Sequence, residues 1–401
     1  MLDDLPERLQ RLAKGWVVQR LDELQSVQMI GYGITRPGDH VGNGVGMIRA
    51  ADIRDGRVDS GHPRRIAHQV HEANLRSQVQ DGDIVMILVG RVGDVAVVTD
   101  EFHHWNTSRT VGIIRATDPE ERAWLSLWLG SLEIRRWCER QATGSTLHRT
   151  LSLAALRNLP VPMPPVGPRS AFLRIMKVLD EKSATNVRIA DCATELSDAR
   201  FALRAQDSKE WPEQPIGALV ELQAGTALGT RPAKNETRNE NVVAFAAPAD
   251  VLQSDLPHLY WTERSVAAGD GVALCDPGSL LVASRDDGVR VVRTEVPVAA
   301  GRGVLVLRPN SAADSCWLLH EIRCRSTELV ANAQGSAGRE LSLRAFASTK
   351  VRWPPHEVRM QFARLADLLH ARVRISQVEN ETLHNLRSRI FDDFLNGAIA
   401  L

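Results

Sequence analysis

The chain carries two copies of one pattern, about 190 residues apart, and this repeat limits the fold more than any other feature. Each copy has a Gly-Ser pair, a Leu-Ser-Leu segment and a Pro-Pro pair in the same order, followed by a long amphipathic stretch. The copies are Gly144-Ser145, Leu151-Ser152-Leu153 and Pro164-Pro165, then Gly335-Ser336, Leu341-Ser342-Leu343 and Pro354-Pro355. The repeat predicts two pseudo-symmetric copies of one globular domain, each with one helix.

The composition leaves room for this arrangement. A chain of 401 residues that is 43% hydrophobic can form two cores of about 150 residues each, with connecting helices. No run of about 18 apolar residues occurs, so we expect no transmembrane helix. The polar, acidic N-terminus is unlike a secretory signal. The five cysteines include no Cys-x-x-Cys pair, so we expect buried or incidental thiols in a reducing cytoplasm.

The formal net charge is zero, which counts against a nucleic-acid partner, but the choice of cations partly offsets this. Only six of the 49 Lys and Arg residues are lysine. Arginine offers a planar fork that grips phosphate or guanine edges. The codon bias of a GC-rich genome would produce the same composition, so both interpretations stay open. A duplicated chain suits a two-part target, and DNA is the first candidate because protein two-fold symmetry maps onto spaced half-sites.

Short apolar runs bounded by Gly and Asp predict strands between about residue 26 and residue 165. A helical stretch from Ala123 to Trp137 interrupts them, and residues 1 to about 25 are expected to form one or two short helices. The proline-rich segment 159–165 can be neither regular helix nor central strand, so we expect an extended exit from the domain. Mixed strands and helices predict an α+β fold. The strand-like runs are Met47-Ile48, Ile84 to Val89, Val95 to Val98 and Val111 to Ile114.

Two long helices are predicted, from about Pro168 to Leu203 and from about His356 to Phe394, because both stretches repeat apolar residues in heptads. Both series have apolar ends and a polar middle. A pseudo-dyad between the two copies favours an antiparallel coiled coil, with the domains separated by the two helices. The predicted a and d positions are Phe172, Ile175, Leu179, Lys182, Asn186, Ile189, Ala193, Leu196, Arg200 and Leu203, and Phe362, Leu365, Leu369, Arg372, Ser376, Glu379, Leu383, Leu386 and Ile390.

Motifs of several enzyme classes are absent from the sequence. It has no Gly-x-x-x-x-Gly-Lys-Ser/Thr loop for ATP and no Asn/Asp-Pro-Pro-aromatic motif of adenine methyltransferases. The histidines His62, His68 and His71 have no matching ligand set in the second copy, so a solvated face is favoured over a metal site. The pair at 103 and 104 is interpreted in the same way. We therefore predict no catalytic residue, no metal site and no cofactor bound by this chain.

The paired motifs resemble the specificity subunit of type I restriction–modification systems. The resemblance covers essentially the whole chain and includes the C-terminal run from Leu386 to Gly397. It implies two target-recognition domains that read the halves of a bipartite, asymmetric double-stranded DNA site. It also implies helices that set the spacing and dock two methyltransferase subunits, which carry S-adenosylmethionine, and, where present, restriction/translocase subunits. The implied protein is not an enzyme itself but part of an adenine-N6 methyltransferase and restriction complex.

The resemblance turns several polar loops into candidate DNA contacts, because flexible backbone amides, hydroxyls and cations suit phosphates and base edges. The second copy departs from the first near 285–288 and lacks a counterpart of the segment 105–109, which fits two different half-sites. The predicted contacts are Tyr32, Thr35, Arg36, Arg91, Trp105, Asn106, Thr107, Arg109, Ser145, Thr146, His148, Arg149, Thr230, Arg231, Lys234, Arg285, Ser336 and Arg339.

Two other functions stay open from the sequence: an enzyme acting on DNA, such as a nuclease with unrecognised carboxylates, and a protein scaffold of a related phage-defence complex. The predicted organisation has five parts. They are an N-terminal helix with the first recognition domain (1–166), the first spacer helix (167–206), a linker (207–213), the second recognition domain (214–356), and the second spacer helix with the tail (357–401).

Overall fold

The structure is a computed structural model that describes residues 12, 15–54, 56–59, 61–144, 149–206, 210–227, 242–254, 256–260, 262, 264–267, 273–285, 288–331 and 341–399. The chain divides into two compact units. The first unit is Met1–Asp180 with Asn385–Leu401, and the second unit is Glu181–His384. The division falls inside the two long helices, so each unit contains part of both.

The first unit is a mixed α/β unit with a central antiparallel sheet in the order β2-β10-β7-β8. A smaller sheet has the order β6-β3-β9, and β1 pairs with β11. The strands are β1 Val17–Arg20, β2 Val27–Tyr32, β3 Val45–Ile48, β4 Ile53–Arg54, β5 Arg57–Val58, β6 Arg64–Ile66, β7 Ile84–Ile87, β8 Val95–Val97, β9 Asn106–Thr107, β10 Val111–Ala116 and β11 Pro160–Met163. The helices are α1 His68–Glu72, α2 Pro119–Leu129, α3 Leu132–Gln141 and α4 Leu153–Arg157, and the long α5 is Val166–Ala205.

The second unit has a central sheet in the order β13-β21-β18-β19-β15 and a smaller sheet in the order β16-β14-β20-β17. Its strands are β12 Glu213–Pro215, β13 Glu221–Ala224, β14 Val242–Ala246, β15 His258–Leu259, β16 Arg264–Ala267, β17 Ala273–Cys275, β18 Leu280–Arg285, β19 Gly288–Thr294, β20 Val298–Ala300, β21 Leu305–Arg308 and β22 Lys350–Arg352. Its helices are α6 Ile216–Leu219, α7 Pro248–Leu252, α8 Ala312–Cys324, α9 Ser326–Ala331 and α10 Leu343–Ser348, and the long α11 is His356–Leu395.

The two units share one folding plan. The order β2-β10-β7-β8 of the first unit returns as β13-β21-β18-β19 in the second, antiparallel throughout. In the smaller sheets, β3 lies between antiparallel β6 and parallel β9, and β14 lies between antiparallel β16 and parallel β20. The internal repeat and the α+β class predicted from the sequence are therefore confirmed.

The repeated Leu-Ser-Leu segments form the start of two short capped helices. The Oγ of Ser152 accepts a hydrogen bond from the backbone N–H of Ala155 at 3.1 Å, and the Oγ of Ser342 accepts one from Ala345 at 3.2 Å. A serine at this position satisfies an amide that the first helical turn leaves without a partner. The repeated serine thus has a structural role in starting α4 and α10.

In the first unit, aromatic rings join the core to both long helices. Phe172 of α5 and Phe394 of α11 stack with ring centroids 4.2 Å apart. Trp124 of α2 lies against both rings at 5.9 and 6.0 Å, and its Nε1 donates a hydrogen bond to the carbonyl oxygen of Pro162 at 2.7 Å. These three rings are buried, so this end of the helix pair is part of the domain core.

The second unit contains a matching ring cluster, in which α11 contributes a ring from its N-terminal part and α5 contributes one from its C-terminal part. Trp317 of α8 packs on Phe362 of α11 at 5.6 Å and on Phe201 of α5 at 4.8 Å. The two phenylalanines also meet edge to face at 5.5 Å. Each unit therefore anchors the N-terminal part of one long helix and the C-terminal part of the other.

The two helices pair antiparallel, as predicted. In the second unit, Lys182 of α5 forms an ion pair with Glu379 of α11 at 2.8 Å, while Arg204, further along α5, donates to Gln361, which lies earlier in α11. In the first unit, Asp180 pairs with Arg387 at 3.0 Å. As the residue number along α5 rises, the number of its contact residue in α11 falls, so the two helices run antiparallel.

Of the two predicted stripes, the one assigned to position a lies mostly in the seam, although Arg200 is exposed and Phe201 is buried in its place, and the one assigned to position d does not. Phe172, Asn186 and Phe362, predicted at position a, lie buried in the seam. Residues predicted at position d are displaced from it, and Leu196 and Leu365 remain 46% and 41% exposed. From Phe172 onward, the residues of the seam follow at intervals of four and then three residues. In a heptad this spacing places Phe172 at position d and not at position a. The buried residues that replace the predicted d set include Met176, Ala190, Ser197, Ala366 and Val373.

Two local predictions are also corrected. Residues Val17–Arg20 were expected to be helical but form β1, because they pair with the extended, proline-rich β11. The single helix predicted across 123–137 is two helices, since Gly130 ends α2 and Ser131 caps α3 by accepting a hydrogen bond from Ile134 N. Within the described residues, no helix has the length and apolar character needed to cross a membrane.

Candidate nucleic-acid interface

The structure brings two of the predicted DNA-contact segments of the first unit together. The backbone N–H of Ile34 donates to the carbonyl oxygen of Thr107 at 2.8 Å, and that of Arg109 donates to the carbonyl oxygen of Ile34 at 2.9 Å. The approach requires Gly33, because a Cβ there would lie 1.9 Å from the carbonyl oxygen of Thr107. The segments 32–36 and 105–109 therefore share one surface.

Of the seven predicted contact residues on this surface, four are exposed, one is half-buried and two are buried. Tyr32 is 50% exposed, and Thr35, Arg36 and Arg109 are also exposed. Trp105 is half-buried and packs edge to face on Phe102, at 5.1 Å. Together the exposed side chains offer a hydroxyl, two guanidinium groups and an aromatic ring to a ligand in solvent.

Asn106 and Thr107 were predicted to contact DNA, but the structure places both side chains in the interior. The Nδ2 of Asn106 donates to Ser77 Oγ at 2.7 Å, and its Oδ1 lies 2.7 Å from Nδ1 of His71. These bonds hold the 105–109 segment against α1 and its following turn. The two residues therefore support the surface and do not form it. His71, expected on a solvated face, belongs to this internal network.

A second group of predicted residues meets at the end of β7. Glycines at 90 and 93 adopt positive φ angles of 90° and 91° and turn the chain sharply. The backbone N–H of Gly90 then donates to the carbonyl oxygen of Arg149 at 3.0 Å, which brings Arg149 beside Arg91. Both arginines line one pocket with Arg135 of α3 and Glu139. Arg135 was not predicted, because nothing in the sequence of α3 indicates which helix face meets this turn.

Contacts within the protein already hold two of the three arginine side chains of this pocket in place. Arg91 donates to the carbonyl oxygen of Ile53 at 2.6 Å and pairs with Asp94 at 3.1 Å, and Arg135 also pairs with Asp94. The side chains of Arg91 and Arg135 are still 53% and 49% exposed. A guanidinium group has five N–H donors, so each retains donors that face solvent.

A further basic pocket in the first unit was missed from the sequence. Arg49 is held by Asp52 at 2.6 Å, and this hydrogen bond raises the pKa of the guanidinium group. Arg65 donates to the carbonyl oxygen of Gly44 at 3.0 Å. Hydrogen bonds from the arginines to backbone carbonyl oxygens of distant residues, which no local motif signals, gather these cations. The pocket is lined by His40, Gly42, Arg49, Gly61, His62, Pro63, Arg64 and Arg65.

Several predicted contacts lie outside the described residues. In the first unit these are Ser145, Thr146 and His148, and in the second unit they are Thr230, Arg231, Lys234, Ser336 and Arg339. Arg285 ends β18, where its backbone pairs with Gly288 of β19, but its side chain is also outside the described part. The contacts of the second unit therefore stay predictions from the sequence.

The chain is similar to a known protein in sequence and to several solved structures in fold. No protein-family model matches the chain. The specificity subunit of the type I restriction enzyme EcoBI from Escherichia coli is 32% identical over 152 residues, which is 37% of this chain and 31% of that protein. The matched part thus spans about a third of the relative's length. This match confirms the resemblance to specificity subunits that the paired motifs indicated.

Two solved structures are similar over most of the chain. The S subunit of the type I restriction–modification system of M. genitalium gives a TM-score of 0.49 at 14% identity, covering 95% of this chain and 96% of that one. The HsdS subunit from Thermoanaerobacter tengcongensis gives a TM-score of 0.37 at 17% identity, covering 97% and 98%.

Proposed function

We propose that this chain is the non-catalytic DNA-specificity subunit of a type I restriction–modification complex, and that each unit recognises one half of a bipartite, asymmetric site. The observation that carries the proposal is the repeated folding plan, with the same strand order and the same capped helix in both units but different loop sequences. An asymmetric site needs two different readers, since each half presents its own donors and acceptors. The match to the EcoBI specificity subunit supports the proposal.

In the first unit, the exposed residues Tyr32, Thr35, Arg36 and Arg109 are the proposed reading surface. The two guanidinium groups can bind phosphate oxygens or the O6 and N7 of guanine as bidentate donors. The shared surface is held in shape by buried side chains, so little conformational entropy is lost when it binds. The proposal places base-reading groups on a rigid support, which sequence-specific binding requires.

The arginine pocket at the end of β7 is proposed to hold the DNA backbone. Arg91, Arg135 and Arg149 outnumber the nearby carboxylates of Asp94 and Glu139. Since half to two-thirds of protein–DNA hydrogen bonds go to phosphate and sugar, a specificity domain needs such positioning contacts. The neutral net charge of the whole chain is compatible with this, because only the surface at the interface must be positive.

The long helices are proposed to dock two methyltransferase subunits, which supply S-adenosylmethionine and the catalytic groups. In the second unit they expose apolar side chains, such as Leu203 at 58% and Leu368 at 71%. Where such exposed apolar residues adjoin one another on a helix that is already paired, they fit a further protein partner. Restriction/translocase subunits would join through the methyltransferases. This function places the chain in the cytoplasm, where the chromosome lies.

Methylation mapping of host DNA, with and without this gene, tests the proposal. We expect N6-methyladenine in one motif of two specific halves separated by a fixed gap, and complete loss of that motif on deletion. Expression of the chain with its methyltransferase partner in a strain without the system should transfer the same motif.

The alternative functions give different results in the same experiments. A chain that scaffolds a defence complex without reading DNA would leave every methylated motif unchanged on deletion. A nuclease would cut DNA when the purified chain alone is incubated with DNA and a divalent metal, whereas a specificity subunit alone should neither cut nor methylate.

A further inference from the structure

The second unit contains a group of metal-ligating side chains that the proposed function does not use. Cys316, His320 and His370 are all buried, and one ligand atom of each lies within 4.8 Å of the others. The Nε2 atoms of His320 and His370 are 3.1 Å apart. In a tetrahedral zinc site with Zn–N bonds of about 2.0–2.1 Å, two nitrogen ligands lie about 3.3 Å apart. The two imidazoles are thus close to the spacing that a shared metal ion requires.

The elements of the second unit bring these residues together from distant parts of the sequence. Cys316 and His320 are four residues apart on α8, so they lie on one face of the helix. His370 comes from α11, and a third histidine, His258, comes from β15 with its ring 4.5 Å from that of His370. A ligand bound here would connect three elements that share no local sequence.

The corresponding positions of the first unit have no ligands. Alignment of Trp124 with Trp317 places Ala123 opposite Cys316 and Leu127 opposite His320. Leu127 packs against the apolar core of the first unit. Because the same fold forms with alanine and leucine at these positions, the fold itself does not demand the polar group in the second unit.

Carboxylates fix the orientation of two of the rings. The Nδ1 of His320 is 2.6 Å from Oδ1 of Asp198, and the Nδ1 of His258 is 2.8 Å from Oε1 of Glu295. A carboxylate only accepts, so each Nδ1 carries the proton and each Nε2 presents a lone pair. A carboxylate bonded to the far nitrogen of a ligating histidine is a recurrent arrangement around protein-bound zinc.

The Nε2 of His320 lies at hydrogen-bond distance from Nε2 of His370, but two other ring nitrogens of the group have no protein partner. The Nε2 of His258 and the Nδ1 of His370 are buried without a hydrogen bond. A buried polar atom without a partner is costly, so these ring nitrogens would gain from a shared cation.

We propose that the second unit binds one structural Zn²⁺ ion through Sγ of Cys316 and one nitrogen each of His320 and His370, and that His258, whose ring lies 4.5 Å from that of His370, moves in as the fourth ligand. Sulfur and imidazole ligands in a tetrahedral set are those that Zn²⁺ prefers, and a site closed by four protein ligands is structural. On binding, the Cys316 thiol releases its proton to solvent and the thiolate sulfur forms the bond to zinc.

The ion would hold α8 and α11 to β15 in the second unit. Because such a site is absent from the unfolded chain, the free energy of binding stabilises the fold. The proposal is independent of DNA recognition, and each can fail without the other.

Metal analysis of the full chain, purified without a histidine tag, tests the proposal. We expect about one zinc per chain after gel filtration. Removal by a chelator should lower the Tm, and added Zn²⁺ should restore it. Replacement by Co²⁺ should give the intense visible bands of a tetrahedral ion and a thiolate charge-transfer band in the near ultraviolet.

Variants identify the ligands. Cys316→Ser should abolish the charge-transfer band, and His258→Gln or His370→Gln should weaken metal binding at least about tenfold. Matched controls are Cys324→Ser, exposed on the same helix α8, and His384→Gln, exposed on α11, and both should retain the metal.

Three results would overturn the proposal: no retained zinc and no Co²⁺ binding by the wild-type chain, an octahedral Co²⁺ spectrum without thiolate ligation, or unchanged metal binding in the ligand variants. The first two need no variant, so they decide the matter even where a variant does not fold.

Discussion

The buried side chain of Asn186 donates a hydrogen bond from Nδ2 to Oδ1 of Asn380, which faces it across the helix pair in the second unit, at 3.0 Å. A second bond runs from the same nitrogen to Oε2 of Glu379 at 2.9 Å, and Lys182 donates to Oδ1 of Asn186. A buried polar contact in the seam of a helix pair is best attested as a device that fixes register.

We expect Asn186→Leu to destabilise the second unit by about 1–3 kcal/mol, because Asn380 is then left with an unsatisfied carbonyl in the seam. The double variant Asn186→Leu/Asn380→Leu should recover most of the loss, since both polar partners are replaced together. Urea unfolding of the wild-type chain, the two single variants and the double variant gives the coupling energy between the two asparagines. Simple additivity of the two substitutions would show that the pair is not coupled.

The ring cluster of the first unit should be a main source of its stability. Phe394→Ala removes the ring that stacks on Phe172 and leaves a cavity beside Trp124, so we expect a loss of about 3–5 kcal/mol. Val178→Ala, at a 62% exposed position of α5, is the control and should change stability by less than about 0.5 kcal/mol. Thermal unfolding followed by tryptophan fluorescence measures both. Equal effects of the two substitutions would contradict the assigned core role.

Asp83 is the acceptor for Arg115 at 2.8 and 2.6 Å and also accepts the backbone N–H of Gln80, with its side chain 2% exposed. Asp83→Asn leaves the guanidinium group without its counter-charge, and loss of one partner of a buried pair costs about 3–5 kcal/mol. Arg115 is partly exposed, so we expect the lower end of this range. Denaturant unfolding measures the loss. The control Asp393→Asn, whose arginine partner is 83% exposed, should have no measurable effect.

Arg149→Ala should weaken DNA binding by the assembled complex by about 1–3 kcal/mol. If Arg149 holds phosphate, as proposed, the loss is the same for all sequences and the salt dependence of binding becomes weaker. If it reads a base, the loss appears only at its own half-site. Fluorescence anisotropy over a salt series distinguishes these outcomes, and Arg389→Ala on α11 serves as the control. Unchanged affinity would remove the arginine pocket from the interface.

The sequence predicts the corresponding role for Arg339 of the second copy, so if these arginines read bases, Arg339→Ala should act on the other half-site. A loss confined to the half-site already affected by Arg149→Ala would contradict the two-reader proposal.

If the helices set the spacing of the half-sites, matched insertions of one heptad after Asn186 and after Ser376 should lengthen the gap in the recognised motif. Seven residues add about 10 Å to each helix, which equals roughly three base pairs. Both half-sites should be unchanged. Methylation mapping of cells that carry the double insertion measures the gap. An unchanged gap in a folded, active variant would show that the helices do not determine the distance.

Much of the fold could be predicted from the sequence because the repeat appears in local signals. The Leu-Ser-Leu segments are the capped starts of α4 and α10, and the apolar runs at 84–89 and 111–114 are central strands of the first unit. The long helices begin and end within two residues of the predicted bounds. Caps, strand runs and heptads depend on neighbours in the sequence, so the sequence alone reveals them.

What the sequence left open depends on contacts between distant residues. Each long helix carries two apolar stripes that repeat with the same period. Which stripe is buried depends on the helix that packs against it, and for this reason Met176 is buried while Leu196 is exposed. Asn106 has the chemistry of a DNA contact, but its neighbours turn it inward. His258, Cys316 and His370 carry no shared motif, since they come from a strand and two helices. The sequence by itself determined the repeat and the secondary-structure elements of this protein. Tertiary packing decided which side chains act together, because the burial of a side chain depends on residues that are far apart in the chain.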